Sequence, residues 1–187
     1  MKNVEIELKY PIRNSTQIIE KLNKIAEIKK RDHYQKDTYY IPAHRNFLEK
    51  KPISEWLRLR DSKTRSTINY KNWHNSKGDA VSCDEFETTI EDTDMIVNIF
   101  KKLNFKEIII VEKTRNTWFY KNVEIAIDNV AQLGEFIELE AKGNFSSIEN
   151  AKKHLYCLID ELNIETGSQD FLGYPFRLLK KNGIDFN

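Results

Sequence analysis

Hydrophobic residues recur along the chain with two different periods. Three stretches follow the spacing of an amphipathic helix. Asn14 to Lys30 carries Ile18, Leu22, Ile25 and Ala26 on one face. Asp94 to Leu103 carries Ile96, Ile99, Phe100 and Leu103. Ser147 to Leu162 carries Ala151, Leu155, Leu158, Ile159 and Leu162, and Ser146 with Glu149 fits a capping box at its start. The other segments alternate at period two, as half-buried strands do. They are Val4 to Tyr10, Asp37 to Ile41, Glu55 to Asp61, Thr64 to Trp73, Cys83 to Ile90, Lys106 to Tyr120, Val123 to Val130 and Gly134 to Ala141. That makes eight strands, or nine if the long Lys106 segment breaks. Strands that run together, with helices set apart, predict an α+β fold, not alternating βαβ units. So many antiparallel strands tend to close into a barrel and thereby remove their edges.

The polar face of these strands is unusual. Glu5, Glu7 and Lys9 share one face of the first strand, opposite Val4, Ile6 and Leu8. Arg58 and Arg60 alternate with Leu57 and Leu59, and Glu85 and Glu87 flank Phe86. Lys113 and Arg115 share a face, as do Glu138 and Glu140; Lys71 and Asp128 stand singly in similar strands. The plain alternative is a sheet with one solvated face. Against it stands the repetition of same-sign doublets at positions i and i+2, which repel unless an opposite charge lies between them. The glutamate doublets call for cations and the basic doublets for an anion. A polyphosphate carrying divalent metal meets both needs. Magnesium and manganese take hard carboxylate and phosphate oxygens. Arginine grips phosphate with a planar fork, and lysine acts as a point charge.

Composition narrows the choice further. The chain has 187 residues, 40% hydrophobic, and reads as a single domain over residues 1–187. Thirty basic residues oppose 29 acidic ones, so the net charge of +1 supplies no global field toward nucleic acid or a membrane. An anion must be held by a local cluster. Two cysteines, Cys83 and Cys157, read as reduced thiols of a cytoplasmic protein and make neither a disulfide framework nor a zinc site. The N-terminus is charged where a signal peptide is apolar, and no apolar run approaches the ~20 residues of a membrane span. With six glycines there is no glycine-rich phosphate loop, and no Ser/His/Asp arrangement is legible. His33, His44, His74 and His154 are scattered and read as structural or surface residues.

Glu5-Ile6-Glu7-Leu8-Lys9 resembles the Glu-x-Glu-x-Lys signature of the CYTH superfamily, the triphosphate tunnel metalloenzymes. The ordered set behind it strengthens the resemblance: Leu57-Arg58-Leu59-Arg60, Tyr70-Lys71, Glu85-Phe86-Glu87, Lys113-Thr114-Arg115, Ile127-Asp128, and Gly134 through Glu140. Trp56 to Arg60 and Leu133-Gly134 are most similar to the class IV adenylyl cyclase branch. The resemblance implies a closed or nearly closed eight-stranded antiparallel barrel, a triphosphate tunnel, with helices packed outside. It implies metal ligation by Glu5, Glu7, Asp128, Glu138 and Glu140, with Glu85 and Glu87 metal-linked or orienting. It implies triphosphate binding by Lys9, Arg58, Arg60, Lys71, Lys113 and Arg115. Glu5, Glu7, Lys71 and Asp128 are then the candidates for the chemical step, with Mg²⁺ or Mn²⁺ as cofactor. The chain departs from the family at Gly173-Tyr174-Pro175-Phe176, where a Ser-Tyr pair is common.

Three functions follow. An adenylyl cyclase converts ATP to cyclic AMP and pyrophosphate. A hydrolase acts on inorganic triphosphate (tripolyphosphate), thiamine triphosphate or a nucleoside triphosphate. A non-catalytic module binds polyphosphate or nucleotide. The motif detail favours the cyclase. Tyr39, Asn69 and Trp73 are candidate base contacts, and the segment from Pro42 to Phe47 and the loop from Trp73 to Val81 are expected at the mouth. A small-molecule triphosphate is the expected partner, with neither membrane nor nucleic acid; a homodimer is compatible with this reading.

Overall fold

A computed structural model of the chain describes residues 6–50, 53–62, 64–75 and 81–184. The expected strand start at Val4, the candidate ligand Glu5 and residues 76–80 of the expected mouth loop lie outside these residues. The elements run β1 (Glu7–Ile12), α1 (Thr16–Ile25), β2 (Glu27–Ile41), β3 (Glu55–Ser62), β4 (Ser66–Asn75), β5 (Val81–Ile90), α2 (Thr93–Lys102), β6 (Lys106–Tyr120), β7 (Val123–Val130), β8 (Gly134–Ala141), α3 (Ile148–Leu162) and α4 (Gly173–Lys181). The fold is α+β, as expected: the described residues form one eight-stranded antiparallel sheet and four helices. No helix among the described residues is long and apolar enough to cross a membrane.

Hydrogen bonds order the strands β1-β8-β7-β6-β2-β3-β4-β5. The expected closure of the sheet is therefore not made by hydrogen bonds: β1 and β5 are the two ends of the order, and no pairing joins them among the described residues. Local chemistry suits both ends. Pro11 in β1 has no N–H to give a further strand, and Asp84, Glu85 and Glu87 charge β5. Between β6 and β7 the turn is tight. Lys121 and Asn122 both have positive φ (48° and 60°), as a two-residue type I′ hairpin requires.

Two compact units are formed. The first consists of Tyr34–Glu112 and the segment from Tyr174 onward; the second contains Lys113–Gly173 and the segment ending at His33. In the first, Tyr40, Leu59 and Phe100 are buried together, with Leu57, Ile68, Ile90, Ile96, Val97 and Phe105 against them. Helix α2 supplies part of this core, and Asp92 caps it by accepting the Met95 N–H at 2.8 Å. In the second, Leu8, Leu22, Trp118, Ile125, Ile137, Leu139, Leu155 and Leu158 belong to one apolar cluster, so α1 and α3 cover the apolar face of β1, β6, β7 and β8.

Three local expectations are corrected. Helix α1 stops at Ile25, not Lys30, because Ala26 turns extended (φ −117°, ψ 152°) and β2 begins at Glu27. Ile25 and Ile28 are both exposed, so a longer helix would bury nothing more. Phe86, expected in the core by alternation, is 65% exposed on the end strand, with its ring stacked on Tyr70. Helix α4 is additional to the three read from periodicity. Asp170 accepts the N–H groups of Leu172 and Gly173, Pro175 sits in the first turn, and Leu178 and Leu179 are buried.

Candidate functional site

The polar face of the second unit is built by register. Residues directly opposite in antiparallel strands project to the same side. Glu7 of β1 lies opposite Glu140 of β8, which lies opposite Glu124 of β7. The next row holds Lys9 and Glu138, and Asp128 of β7 faces Arg115 of β6. Glu7, Lys9, Glu138, Arg115, Asp128 and Lys113 form one continuous chain of alternating charge. Lys9 Nζ is 3.3 Å from Glu7 Oε1 and 3.0 Å from Glu138 Oε2. Arg115 Nη2 is 3.3 Å from the same Glu138 oxygen. Arg115 then grips Asp128 through Nε and Nη2 at 2.6 and 2.7 Å, and Lys113 Nζ approaches Asp128 Oδ2 at 3.0 Å. At the other edge Lys142 reaches Glu140 at 2.6 Å.

This chain sits where charge is costly to isolate. Asp128 is 0% exposed and Lys113 only 5%. Burial alone would push the Asp128 carboxyl up, but Arg115 and Lys113 outweigh it and hold it well below the usual carboxylate range. Glu138 is held low against the same burial by Arg115, Lys9 and Lys113. Burial would lower Lys9; Glu138 and Glu7 reverse that and hold it above the usual lysine range.

The first unit carries a second charged face. The rows are Tyr39–Arg58–Asn69–Glu87, Asp37–Arg60–Thr67 and Trp56–Lys71–Glu85. Arg60 makes a two-point bond to Asp37, with Nε and Nη2 at 2.6 and 2.7 Å. Arg58 Nη1 lies 3.8 Å from Asp37 and its Nη2 3.3 Å from Glu87. Lys71 pairs with Glu85 at 3.2 Å, and Asn69 donates to Glu85 at 2.5 Å. Gln35 Oε1, Thr67 Oγ1 and Arg58 Nε are buried with no hydrogen-bond partner among the described residues. Such groups cost about 1–3 kcal/mol each while they are left unpaired.

Each unit thus collects the residues predicted within it: Glu7, Lys9, Lys113, Arg115, Asp128 and Glu138 in one chain with Glu140 beside it, and Arg58, Arg60, Lys71, Glu85 and Glu87 on one face. Among the described residues the same-sign doublets meet opposite charges within the protein, from other strands at Arg58, Arg60, Lys113, Arg115 and Glu138 and from nearby positions of the same segment at Glu7 and Glu140. Of the candidate base contacts, Tyr39 is buried edge-on against Trp56, at 5.6 Å between ring centroids, and Asn69 is buried on Glu85. Lys71 Nζ lies 5.6 Å from the Trp73 ring. Asp37, Glu124, Gln35 and Thr67 went unnoticed in the sequence. Asp37 alone left a signal there, two residues before Tyr39 in an alternating strand; pairing with Arg60 is visible only in the register. The donor set of the second unit, all carboxylate, suits a hard divalent cation. Among the described residues no three His, Cys, Asp or Glu side chains converge as a ready-made metal site, since basic groups occupy the carboxylates.

With this geometry in view, the CYTH domain profile matches residues 3–174, and the chain belongs to that family. It is 32% identical over 169 residues to a Methanocaldococcus jannaschii protein with a provisional adenylate cyclase name, covering 89% of this chain and 92% of that one. The PH1819 protein of Pyrococcus horikoshii superimposes with a TM-score of 0.77 at 30% identity, over 95% of this chain and 99% of that one. A Hippeastrum protein provisionally named an adenylyl cyclase, described with a dominant triphosphatase activity, superimposes with a TM-score of 0.64 at 16% identity, over 97% and 96% of the two chains. That last likeness is one of fold.

Proposed function

We propose that the chain is a divalent-metal-dependent adenylyl cyclase that converts ATP to cyclic AMP and pyrophosphate. The observation that carries this reading is the alternating chain from Glu7 to Lys113, a set of carboxylates interleaved with phosphate-binding cations. The archaeal relative's name favours the cyclase among triphosphate reactions. Glu7, Glu138 and Glu140, with Asp128 and with Glu5 outside the described residues, would hold Mg²⁺ or Mn²⁺. When bound, such a cation would supply charge neutralisation at the phosphates and a lower pKa for the attacking hydroxyl. Lys9, Lys113 and Arg115 of the second unit, and Arg58, Arg60 and Lys71 of the first, are the candidate phosphate ligands, and basic groups of this kind stabilise a leaving pyrophosphate. Asp128 and Glu138 stay ionised through neutral pH, which suits holding cations and aiming Arg115 better than shuttling protons. Trp73 is the base-stacking candidate.

A hydrolase would use the same groups and deliver water to a terminal phosphate; the triphosphatase described for the Hippeastrum protein keeps this second reading in play. The deciding experiment incubates purified protein and Mg²⁺ or Mn²⁺ with ATP, thiamine triphosphate and tripolyphosphate, and resolves cyclic AMP, ADP, pyrophosphate and phosphate. Cyclic AMP and pyrophosphate from ATP, with tripolyphosphate as inhibitor, support the cyclase. Tripolyphosphate cleaved faster than ATP without cyclic product replaces it with the hydrolase. Binding of all three without turnover leaves a binding module.

A further inference from the structure

Asp37 is a buried acid that the reading above leaves unused. It is 2% exposed, and a buried carboxylate costs several kcal/mol unless it is paired and hydrogen-bonded. Its pairing is specific. The side edge of the Arg60 guanidinium, Nε and Nη2, lies on its two oxygens at 2.6 and 2.7 Å, and Arg58 Nη1 stands 3.8 Å from Oδ2. Strand register sets this arrangement. Asp37 is directly opposite Arg60, and Arg58 is opposite Tyr39 one row away.

We propose that Asp37 is a positioning residue for phosphate binding. By holding the Nε–Nη2 edge of Arg60 it turns the Nη1–Nη2 end of the fork toward a phosphate, and it steadies Arg58 beside it. The inference rests on the phosphate-binding reading of Arg58 and Arg60. Arginine is rich in rotamers, and ordering it beforehand removes part of the entropy loss from the binding step. The second unit repeats the device independently. Asp128 takes the same edge of Arg115 at the same 2.6 and 2.7 Å and also draws in a second basic residue, Lys113. A carboxylate used once this way could be ordinary surface pairing; two buried ones, each tying two candidate phosphate ligands, form a pattern.

The sign of one measurement separates positioning from simple charge. Asp37 is an anion beside an anion site, so on electrostatics alone Asp37→Asn should tighten phosphate binding. A positioning role predicts the reverse. The test is calorimetric titration of the full chain with tripolyphosphate and with ATP, each with Mg²⁺, and thermal unfolding run alongside. We expect Asp37→Asn to weaken both probes by about 10- to 100-fold. In an Arg60→Ala background the same change should cost much less, the remainder being what Asp37 gives Arg58. Asp37→Glu keeps the charge but displaces it by one methylene, so it should weaken binding measurably, though less; it carries the test if Asp37→Asn fails to fold. Unchanged or tighter binding in Asp37→Asn, or a loss that adds fully to that of Arg60→Ala, overturns the inference and leaves the phosphate reading standing. Wild-type chain that binds neither probe overturns the phosphate reading, and this inference with it.

Discussion

Arg115 holds Asp128 by two parallel hydrogen bonds, and its Nη2 also reaches Glu138 3.3 Å away, so one guanidinium ties β6 to both β7 and β8. Removing any member of such a chain changes its neighbours as well as the ligand. The predictions therefore pair each activity measurement with a stability measurement.

Glu140→Gln and Glu7→Gln keep side-chain shape and remove a carboxylate charge from the same cross-strand pair. Each should nearly abolish turnover while the unfolding midpoint stays within a few degrees of wild type. Higher Mn²⁺ should recover part of the activity. Full activity in both variants in the presence of EDTA would remove these residues from any metal role.

Arg60→Ala and Lys113→Ala should each weaken tripolyphosphate binding by ~1.5–3 kcal/mol, the range for charge-assisted hydrogen bonds. Stability should separate them. Lys113 is 5% exposed beside a fully buried aspartate, so its loss should destabilise the fold by roughly 3 kcal/mol. Chemical denaturation checks that figure; unchanged tripolyphosphate affinity in both variants would return these side chains to an ordinary structural role.

Acid should destabilise the chain in a predictable window. In the folded state the basic side chains around Asp128 and Glu138 hold their pKa values below the ordinary carboxylate range. Their contribution is thus fully present above the unfolded carboxylate values of about 4 and is lost as pH falls below them. The unfolding midpoint should drop on acidification from pH 5 toward pH 2. Asp128→Asn should be less stable at neutral pH and show a shallower decline. Parallel declines in the two proteins would show that other carboxylates carry the acid sensitivity.

Two apolar residues at period-two positions should respond in opposite ways. Leu139 is fully buried among the side chains of the second unit, and Leu139→Ala should cost ~2–5 kcal/mol. Phe86 is largely exposed, and Phe86→Ala should cost less than ~1 kcal/mol, mainly its stacking on Tyr70. Equal losses in urea unfolding would contradict the burial described for Phe86.

The bounds of β6, β7 and β8 were legible in the sequence because β-branched and aromatic residues fill these segments and turn residues mark their ends. Helix α1 was overextended because Ile25 and Ala26 satisfy a helical stripe on paper, whereas Ile25 is exposed and Ala26 reaches the core from extended backbone. Helix α4 is short, and its start is signalled by the Asp170 side chain and Pro175 in place of a long apolar stripe. Phe86 misled because alternation says which side a residue faces, not whether anything covers that side. The charged residues of the site were legible as i, i+2 doublets. Their internal partners were not, since pairing Asp37 with Arg60, or Glu138 with Lys9, depends on which strands lie side by side and in what register.

Both charged faces are self-neutralised before any ligand arrives. An incoming anion meets cations already engaged by carboxylates, and those engagements must be exchanged for new ones. On the phosphate-binding reading, every cation that turns to a phosphate leaves a carboxylate behind, so cost and gain both grow with the number of cations engaged, and a divalent cation arriving with the polyanion would take up the carboxylates so released.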